Sequence, residues 1–344
     1  MFGSRPILML VFLFVTACAP SNVAQFGTGD PRASTERIFV ATELELSNLG
    51  PIFGEERPEG LNFLSLDVSI PPTHQPGNIE WPDGPPDAAT DFVMTDSQVY
   101  QNAPQMIAAM RAARPTRETL VYVHGYNVTF SDAVYRFAQI RTDFGFKNNG
   151  VVFSWPSAGD LRGYAYDRDS VLYSRDDFEA VLNALTVQSG GTVSILGHSM
   201  GSHLVMETLR QAALRGNRGM LDRVSSVVLM SPDIDMDVFR RQALAIGTLP
   251  DPFLIFVSQQ DRALNLSSLL TGFKPRLGVI DNREALDGLD VQVIDFTALS
   301  DGRALDHSVP VTSPVAIRVL RGMIEQSEGG ATNFRDYMVL TQPQ

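Results

Sequence analysis

The sequence predicts an α/β fold in which a mostly parallel central sheet is covered by helices on both faces. Short apolar, β-branched segments recur along the chain, and segments with helical spacing of apolar residues separate them. The composition agrees, because 344 residues with 44% hydrophobic and 19% charged side chains are typical of a globular protein with a large core. A formal net charge of −12 gives no electrostatic support for nucleic-acid binding.

The N-terminal segment has the pattern of an export signal. Arg5 supplies a positive charge, and residues 6–15 are apolar but too few for a comfortable membrane span. The sequence Val15-Thr16-Ala17-Cys18 then resembles the lipobox of bacterial lipoproteins, which implies a signal peptide over residues 1–17 and a lipid anchor on Cys18. Cys18 is the only cysteine, so no internal disulfide can form. An ordinary secretory signal is the alternative.

The lipobox resemblance also implies a location. It places the protein in the bacterial cell envelope, bound to the membrane through Cys18. Ala19 stands where an inner-membrane retention signal has aspartate, so the resemblance favours the outer membrane, facing the periplasm.

The rest of the chain reads as one domain with short flanking segments. Residues 18–35 lack periodicity and predict a flexible tether, and residues 331–344 a C-terminal tail. The single domain spans residues 36–330, of which 36–100 form a strand-rich extension and 101–330 the core.

The elements follow from hydrophobic periodicity. Alternating or continuous apolar runs predict strands, and apolar residues three or four apart predict helices. The predicted strands are 37–42, 61–70, 119–123, 151–155, 192–196, 224–230, 252–257 and 291–295. The predicted helices are 99–114, 130–144 with a cap at Ser131, 170–187, 203–215, 238–245 and 314–324.

The pentapeptide Gly197-His198-Ser199-Met200-Gly201 is the most informative motif. It stands between a predicted buried strand and a predicted helix. A serine between two glycines at such a junction indicates a nucleophile elbow, because glycine permits the tight turn and the close backbone approach. The helix N-terminus favours negative charge that develops near the serine. A surface turn is the alternative interpretation.

A nucleophilic serine needs a base, and His307 is the predicted one. It lies in a predicted loop after the last predicted strand of the core, where the order nucleophile, acid, base places the histidine. Of the remaining histidines, His203 is expected to pack in the core and the His198 side chain to leave on the other side of the turn. His124 is expected to bond within its loop, and His74 to be solvated or to bond within its loop.

Two aspartates are candidates for the acid that orients the base. Asp261 follows the strand predicted over 252–257, and Asp233 follows the preceding strand. Both loops lie at the carboxyl edge of a parallel sheet, where ligands bind. We prefer Asp261 because the later strand is the commoner source of the acid and because Arg262 begins a short predicted helix. Asp233 is then a loop or capping residue.

An acyl-transfer site also needs donors for an oxyanion. The backbone N–H of Met200 is one candidate. The other is the N–H of Tyr126, because Gly125 lets the loop after the strand at 119–123 turn tightly. A plain β-turn is the alternative for this loop. We expect no cofactor, because the sequence has neither metal-ligand spacing nor a glycine-rich phosphate loop.

Several motifs together resemble a known family. From about residue 37 to 324 the chain resembles the α/β-hydrolase superfamily and, within it, the bacterial esterase/lipase-like DUF900 proteins. The resemblance implies Ser199 as nucleophile, His307 as base, Asp261 as acid, and Tyr126 and Met200 as the oxyanion hole. The matching stretches are Val121–Asn127, Phe153–Ser157, Ile195–Gly201, Ser231–Asp235, Ser258–Leu264 and Asp306–Ser308.

These observations predict a serine hydrolase that cleaves a carboxylic ester, of a small molecule or a lipid, through an acyl-enzyme. Trp155, Tyr164 and Tyr166 are expected on the loop after a strand that neighbours the elbow, and they are candidates for lining an acyl pocket. Residues 264–289 lie between acid and base and are a candidate cap. The alternatives are an acyltransferase with the same triad and a non-catalytic envelope protein that binds a ligand on this scaffold.

Overall fold

The computed structural model describes residues 23–50, 56–281, 284–300, 302–328 and 337–339. The predicted signal peptide and Cys18 lie outside these ranges. Within them, none of the helices combines the length and the apolar character needed to cross a bilayer.

The strands of the described residues pair into one sheet. They are β1 Ser34–Thr42, β2 Asn62–Ile70, β3 Val93–Tyr100, β4 Glu118–Val123, β5 Asn149–Ser154, β6 Thr192–His198, β7 Val224–Met230, β8 Phe253–Val257, β9 Gln292–Asp295 and β10 Tyr337–Val339. Their order is β10-β9-β8-β7-β6-β4-β5-β1-β2-β3. All neighbours from β10 to β1 are parallel, and β1, β2 and β3 are antiparallel. The predicted mostly parallel α/β fold is confirmed.

Helices cover both faces of this sheet. They are α1 Ala103–Ala113, α2 Phe130–Phe144, α3 Tyr164–Asn183, α4 Met200–Leu214, α5 Arg218–Leu221, α6 Met236–Ile246, α7 Arg262–Leu270, α8 Val309–Thr312 and α9 Pro314–Glu328. Successive residues of a strand point to opposite faces, and those of β4 alternate between two hydrophobic clusters. One cluster contains residues of α1 and α3 to α6, and the other contains residues of α2, α8 and α9.

Near the start of the core, one helix start was predicted wrongly and one strand was not predicted. The helix predicted from Val99 begins at Ala103, behind the cap Asn102, and Val99 belongs to β3. Strand β3 was not predicted because it is an edge strand whose central residues are polar and exposed, so its sequence does not alternate between apolar and polar residues.

The cap of α2 also differs from the prediction. The N-cap is Thr129, which forms a capping box with Asp132. The hydroxyl of Ser131, the predicted cap, instead accepts a hydrogen bond from the N–H of Ala24 at 3.1 Å.

Part of the predicted tether lies against the sheet edge. The N–H of Gly27 donates to the carbonyl of Met94 at 2.9 Å, and the N–H of Met94 donates to the carbonyl of Gln25 at 3.0 Å. In the predicted tail, β10 pairs with β9. Backbone segments at both ends of the described chain therefore pair with strands of the sheet.

His74 joins the loop between β2 and β3 to α2, in line with its predicted loop role. Its Nδ1 lies 2.7 Å from Glu80 Oε2, and its Nε2 lies 3.0 Å from Asp143 Oδ1. Burial alone lowers the pKa of His74, but the hydrogen bonds to Asp143 and Glu80 outweigh it and raise the pKa to about 9. His74 is therefore a cation at neutral pH.

We expect His74 to stabilise the fold in a pH-dependent way. The folded pKa of about 9 exceeds the unfolded value of about 6.5, so the contribution is complete below pH 6.5 and is lost as pH rises through 9. The His74→Gln variant should lower the free energy of unfolding by about 2–3 kcal/mol at pH 6 and far less at pH 10. Urea unfolding of both proteins at the two pH values checks this, and a difference independent of pH would contradict it.

Candidate active site

Ser199 occupies a sharp turn between β6 and α4. Its backbone has φ 53° and ψ −121°, a region that residues other than glycine rarely adopt. The N–H of Ser199 donates to the carbonyl of Met230 at 2.9 Å, and its own carbonyl accepts from the N–H of Asp233 at 3.2 Å. The end of β7 thus holds the strained residue in place, as expected for an elbow. Helix α4 begins at Met200, three residues earlier than predicted.

Two glycines allow the backbone around Ser199 to approach closely. A Cβ atom on Gly201 would lie 2.2 Å from the carbonyl oxygen of His124. A Cβ atom on Gly125 would lie 2.8 Å from the Cβ of Ser199. The loop after β4 therefore touches the elbow at a distance that a side chain would prevent.

Buried Asp261 and partly buried His307 form a pair at the same edge of the sheet. His307 Nδ1 lies 2.7 Å from Asp261 Oδ2, while Asp261 Oδ1 accepts the N–H of Leu264 at 2.9 Å and so caps α7. Burial lowers the pKa of His307, but the charge of Asp261 and its hydrogen bond outweigh this and raise the pKa above 6.5. With Nδ1–H directed at Asp261, the neutral ring has its lone pair on Nε2.

His307 also packs against the residue next to the serine. The ring centroids of His307 and His198 are 4.9 Å apart, and His198 Nε2 lies 3.4 Å from the carbonyl oxygen of His307. Burial, and then the nearby charge of His307, lower the pKa of His198 well below 6.5, so His198 is neutral. Within the described ranges Ser199 Oγ makes no hydrogen bond, and such contacts often tighten only when substrate binds.

Asp233, the other candidate acid, has different partners. Its carboxylate lies 3.1 Å from Arg276 Nε and accepts hydrogen bonds from Tyr164 at 3.0 Å and Ser267 at 2.9 Å. The structure therefore pairs His307 with Asp261 and leaves Asp233 in a buried ion pair. No sequence pattern pointed to Arg276, because it joins Asp233 only through the tertiary fold.

The two predicted oxyanion donors belong to segments that adjoin Ser199. Met200 is the first residue of α4, whose N–H groups lack helical acceptors, and Tyr126 follows Gly125 in the loop that contacts Ser199. Among the described residues, the amide N–H of neither Tyr126 nor Met200 has an acceptor. Both N–H groups remain available to a ligand.

His124 and Trp155 hold the loop after β4 in place through a stacking contact and a hydrogen bond. Their rings stack with centroids 4.9 Å apart, and the Trp155 Nε1–H donates to the carbonyl of His124 at 2.8 Å. Burial lowers the pKa of His124 to about 4, so His124 is neutral. Trp155 is only 1% exposed, which gives it a supporting position rather than an open surface for an acyl group.

The two predicted pocket tyrosines belong to the first turn of α3, where a loop was expected. The Tyr164 ring meets the edge of Tyr126 at 5.4 Å, next to the proposed oxyanion donor. The Tyr166 ring instead packs against Arg57, whose guanidinium lies 4.1 Å from the ring centroid. Of the two, buried Tyr164 therefore has a ring contact with a predicted oxyanion residue.

Asp167 is a supporting residue that the sequence analysis missed. Its buried carboxylate accepts the N–H of Asn127 at 3.1 Å, the N–H of Ala158 at 2.6 Å and the hydroxyl of Ser157 at 2.7 Å. It therefore fixes the residue after Tyr126. The only sequence signal was an acid in the first turn of a helix, which is too common to be specific.

The match to a family model agrees with this architecture. Residues 101–323 match the model of a family described as alpha/beta hydrolase of unknown function (DUF900), and a sequence search of curated proteins found no match. Similar solved structures include one of two fungal esterases from Rhizomucor miehei, with 12% identity, 89% of this chain and 86% of that chain covered, and a TM-score of 0.35. Dienelactone hydrolase from Anabaena variabilis has 12% identity, 88% and 100% coverage and a TM-score of 0.38. Brefeldin A esterase, a bacterial homologue of human hormone sensitive lipase, has 17% identity, 90% and 81% coverage and a TM-score of 0.36.

In the described ranges, no group of three or more His, Cys, Asp or Glu side chains could hold a metal ion. The family match spans Ser199, His307 and both aspartates.

Proposed function

We propose that this chain, which belongs to the DUF900 family of α/β-hydrolases, is a serine hydrolase that cleaves a carboxylic ester or related acyl bond. The observation that carries the proposal is the Asp261–His307 pair, because it lies at the carboxyl edge of the sheet together with the strained Ser199. A buried aspartate on Nδ1 holds a histidine in the tautomer that accepts a proton at Nε2.

The proposed reaction has two acyl-transfer steps. Ser199 Oγ attacks the acyl carbon and passes its proton to His307 Nε2, and the N–H groups of Tyr126 and Met200 bind the oxyanion. The tetrahedral intermediate collapses, the C–O bond to the alcohol breaks, and the alcohol leaves with the proton from His307. Water then gives a proton to His307 and attacks the acyl-enzyme, and Ser199 recovers its proton as the acid is released.

A fluorophosphonate probe tests the nucleophile directly. We expect the probe to add covalently to the protein, with the added mass on Ser199, and Ser199→Ala to abolish labelling. Ser202→Ala is the matched control, because Ser202 lies in the first turn of α4 and its hydroxyl is bonded to the carbonyl of Gly197. A folded wild-type chain that resists the probe, or labelling that persists in Ser199→Ala, would contradict the proposal.

The raised pKa of His307 predicts the pH dependence of the rate. His307 must be neutral to accept a proton, so kcat/KM should rise with pH and its inflection should lie above pH 6.5. His198 should not give this inflection, because burial lowers its pKa well below 6.5. Hydrolysis of an uncharged ester between pH 5 and pH 9 measures the profile. An inflection below pH 6.5 would be inconsistent with a base that pairs with Asp261.

A further inference from the structure

Helix α7 exposes apolar residues on the side that faces solvent. Its opposite side is buried through Leu264 and Ser267. A surface helix packed in this way normally presents polar residues to water. The exposed residues, which we call the α7 stripe, are Leu266 (56% exposed), Leu269 (54%), Leu270 (62%) and, just after the helix, Phe273 (76%).

The stripe is contiguous and lies beside the candidate active site. Residues three and four positions apart share one side of a helix, so the leucines form one apolar surface. Helix α7 begins at the cap Asp261, the partner of His307, and Arg262 donates to the carbonyl of Gly302 at 3.0 Å. Leu305, two residues before His307, adds a further exposed apolar side chain at 50%.

The charged residues within the segment that carries the stripe differ from those of the whole chain. Residues 262–280 contain no aspartate or glutamate, although the chain has 39 acidic residues and a net charge of −12. Arg262 and Lys274 are exposed at the two ends of the stripe, with ion pairs to Asp306 at 3.8 Å and to Asp237. Cationic residues that flank an exposed apolar helix surface are complementary to an anionic lipid interface.

We propose that the α7 stripe binds the surface of an anionic lipid bilayer. Its leucines and Phe273 enter the interface, and Arg262 and Lys274 lie at the headgroups. Isolated exposed leucines are common on proteins, but a contiguous apolar patch marks an interaction site. The proposal is independent of the proposed hydrolase activity, and it would bring the edge of the sheet that holds His307 to the membrane.

A fluorophore at a single position tests the contact. Because Cys18 is the only cysteine, full-length Cys18→Ser provides a background for Leu270→Cys and for the matched control Leu214→Cys. Leu214 is 64% exposed at the end of α4, which runs back from the active-site edge. An environment-sensitive fluorophore at position 270 should shift to the blue with phosphatidylserine-containing vesicles and be quenched by a bilayer-embedded quencher. The fluorophore at position 214 should do neither.

A second substitution tests how much the stripe contributes to lipid binding. In the chain labelled at 270, Leu269→Glu should raise the lipid concentration at half-saturation about tenfold or more. The substitution removes an apolar side chain that enters the bilayer in this proposal, and it adds an anion. Fluorophosphonate labelling, or circular dichroism if the chain proves unreactive, verifies that the variants are folded. A water-like signal at 270 at every lipid concentration, or equal signals at 270 and 214, would overturn the proposal. A shift that follows protein concentration without vesicles would assign the stripe to a second copy of the chain instead.

Discussion

Asp261→Asn should lower kcat by about 10⁴-fold, the loss that follows when the equivalent substitution in a serine protease triad stabilises the wrong histidine tautomer. An asparagine directs an N–H group at His307 Nδ1, so the ring proton moves to Nε2, which can then no longer accept the proton of Ser199. The fold should survive, because the asparagine oxygen can still accept the N–H of Leu264 and cap α7. Single-turnover hydrolysis of an activated ester measures the loss.

Asp233→Asn is the matched control for this prediction. It leaves the Asp261–His307 pair intact but removes the charge partner of buried Arg276, so it should cost about 3–5 kcal/mol of stability. The folded fraction should retain kcat within about tenfold, since the Asp233 carboxylate is hydrogen-bonded to Tyr164 and Ser267 rather than to His307. The opposite result, with Asp233→Asn inactive and Asp261→Asn active, would show that Asp233 is the acid.

Gly201→Ala should destabilise the protein by at least about 3 kcal/mol, the upper part of the range for overpacking. The added methyl group would lie 2.2 Å from the carbonyl oxygen of His124 and 2.4 Å from that of Val123. Both obstacles are backbone, so the clash can be relieved only by moving α4 away from β4. The same movement displaces the loop that carries Tyr126, so any folded fraction should also react more slowly. Chemical unfolding and labelling rates measure the two effects.

Gly322→Ala provides the comparison within another helix. Among the described residues, no heavy atom beyond its chain neighbours and the backbone of its own helix lies within 4 Å of the methyl group that it adds to α9. Because alanine favours helix over glycine, this variant should be more stable than wild type by about 0.5–1 kcal/mol. A similar loss in both variants would mean that Gly201 matters for reasons other than its contact with β4.

Much of the fold could be predicted because its central strands are buried on both faces. Such strands are continuous apolar runs, and β4 to β8 were each predicted within two residues at either end. Strand β3 was missed because it is an exposed edge, and β10 because a three-residue strand has too little pattern. The start of α3 was placed six residues late, because Tyr164 and Tyr166 bring aromatic rings rather than helical periodicity to its first turn.

The candidate site was predictable where one local motif defines the geometry. Ser199 and its glycines lie within five residues, so the sequence itself contains the turn. The preference for Asp261 over Asp233 rested on strand order, and the partners of the two carboxylates were visible only in three dimensions. The same holds for Asp167, whose three donors come from two separate loops.

The two oxygens of Asp261 serve different neighbours, one the first turn of α7 and the other the imidazole of His307. Fraying of that turn would therefore release the carboxylate and let the ring rotate out of alignment. Hydrogen exchange at the Leu264 amide reports how often this happens. Its protection factor would report the fraction of time during which the Asp261–His307 pair is intact.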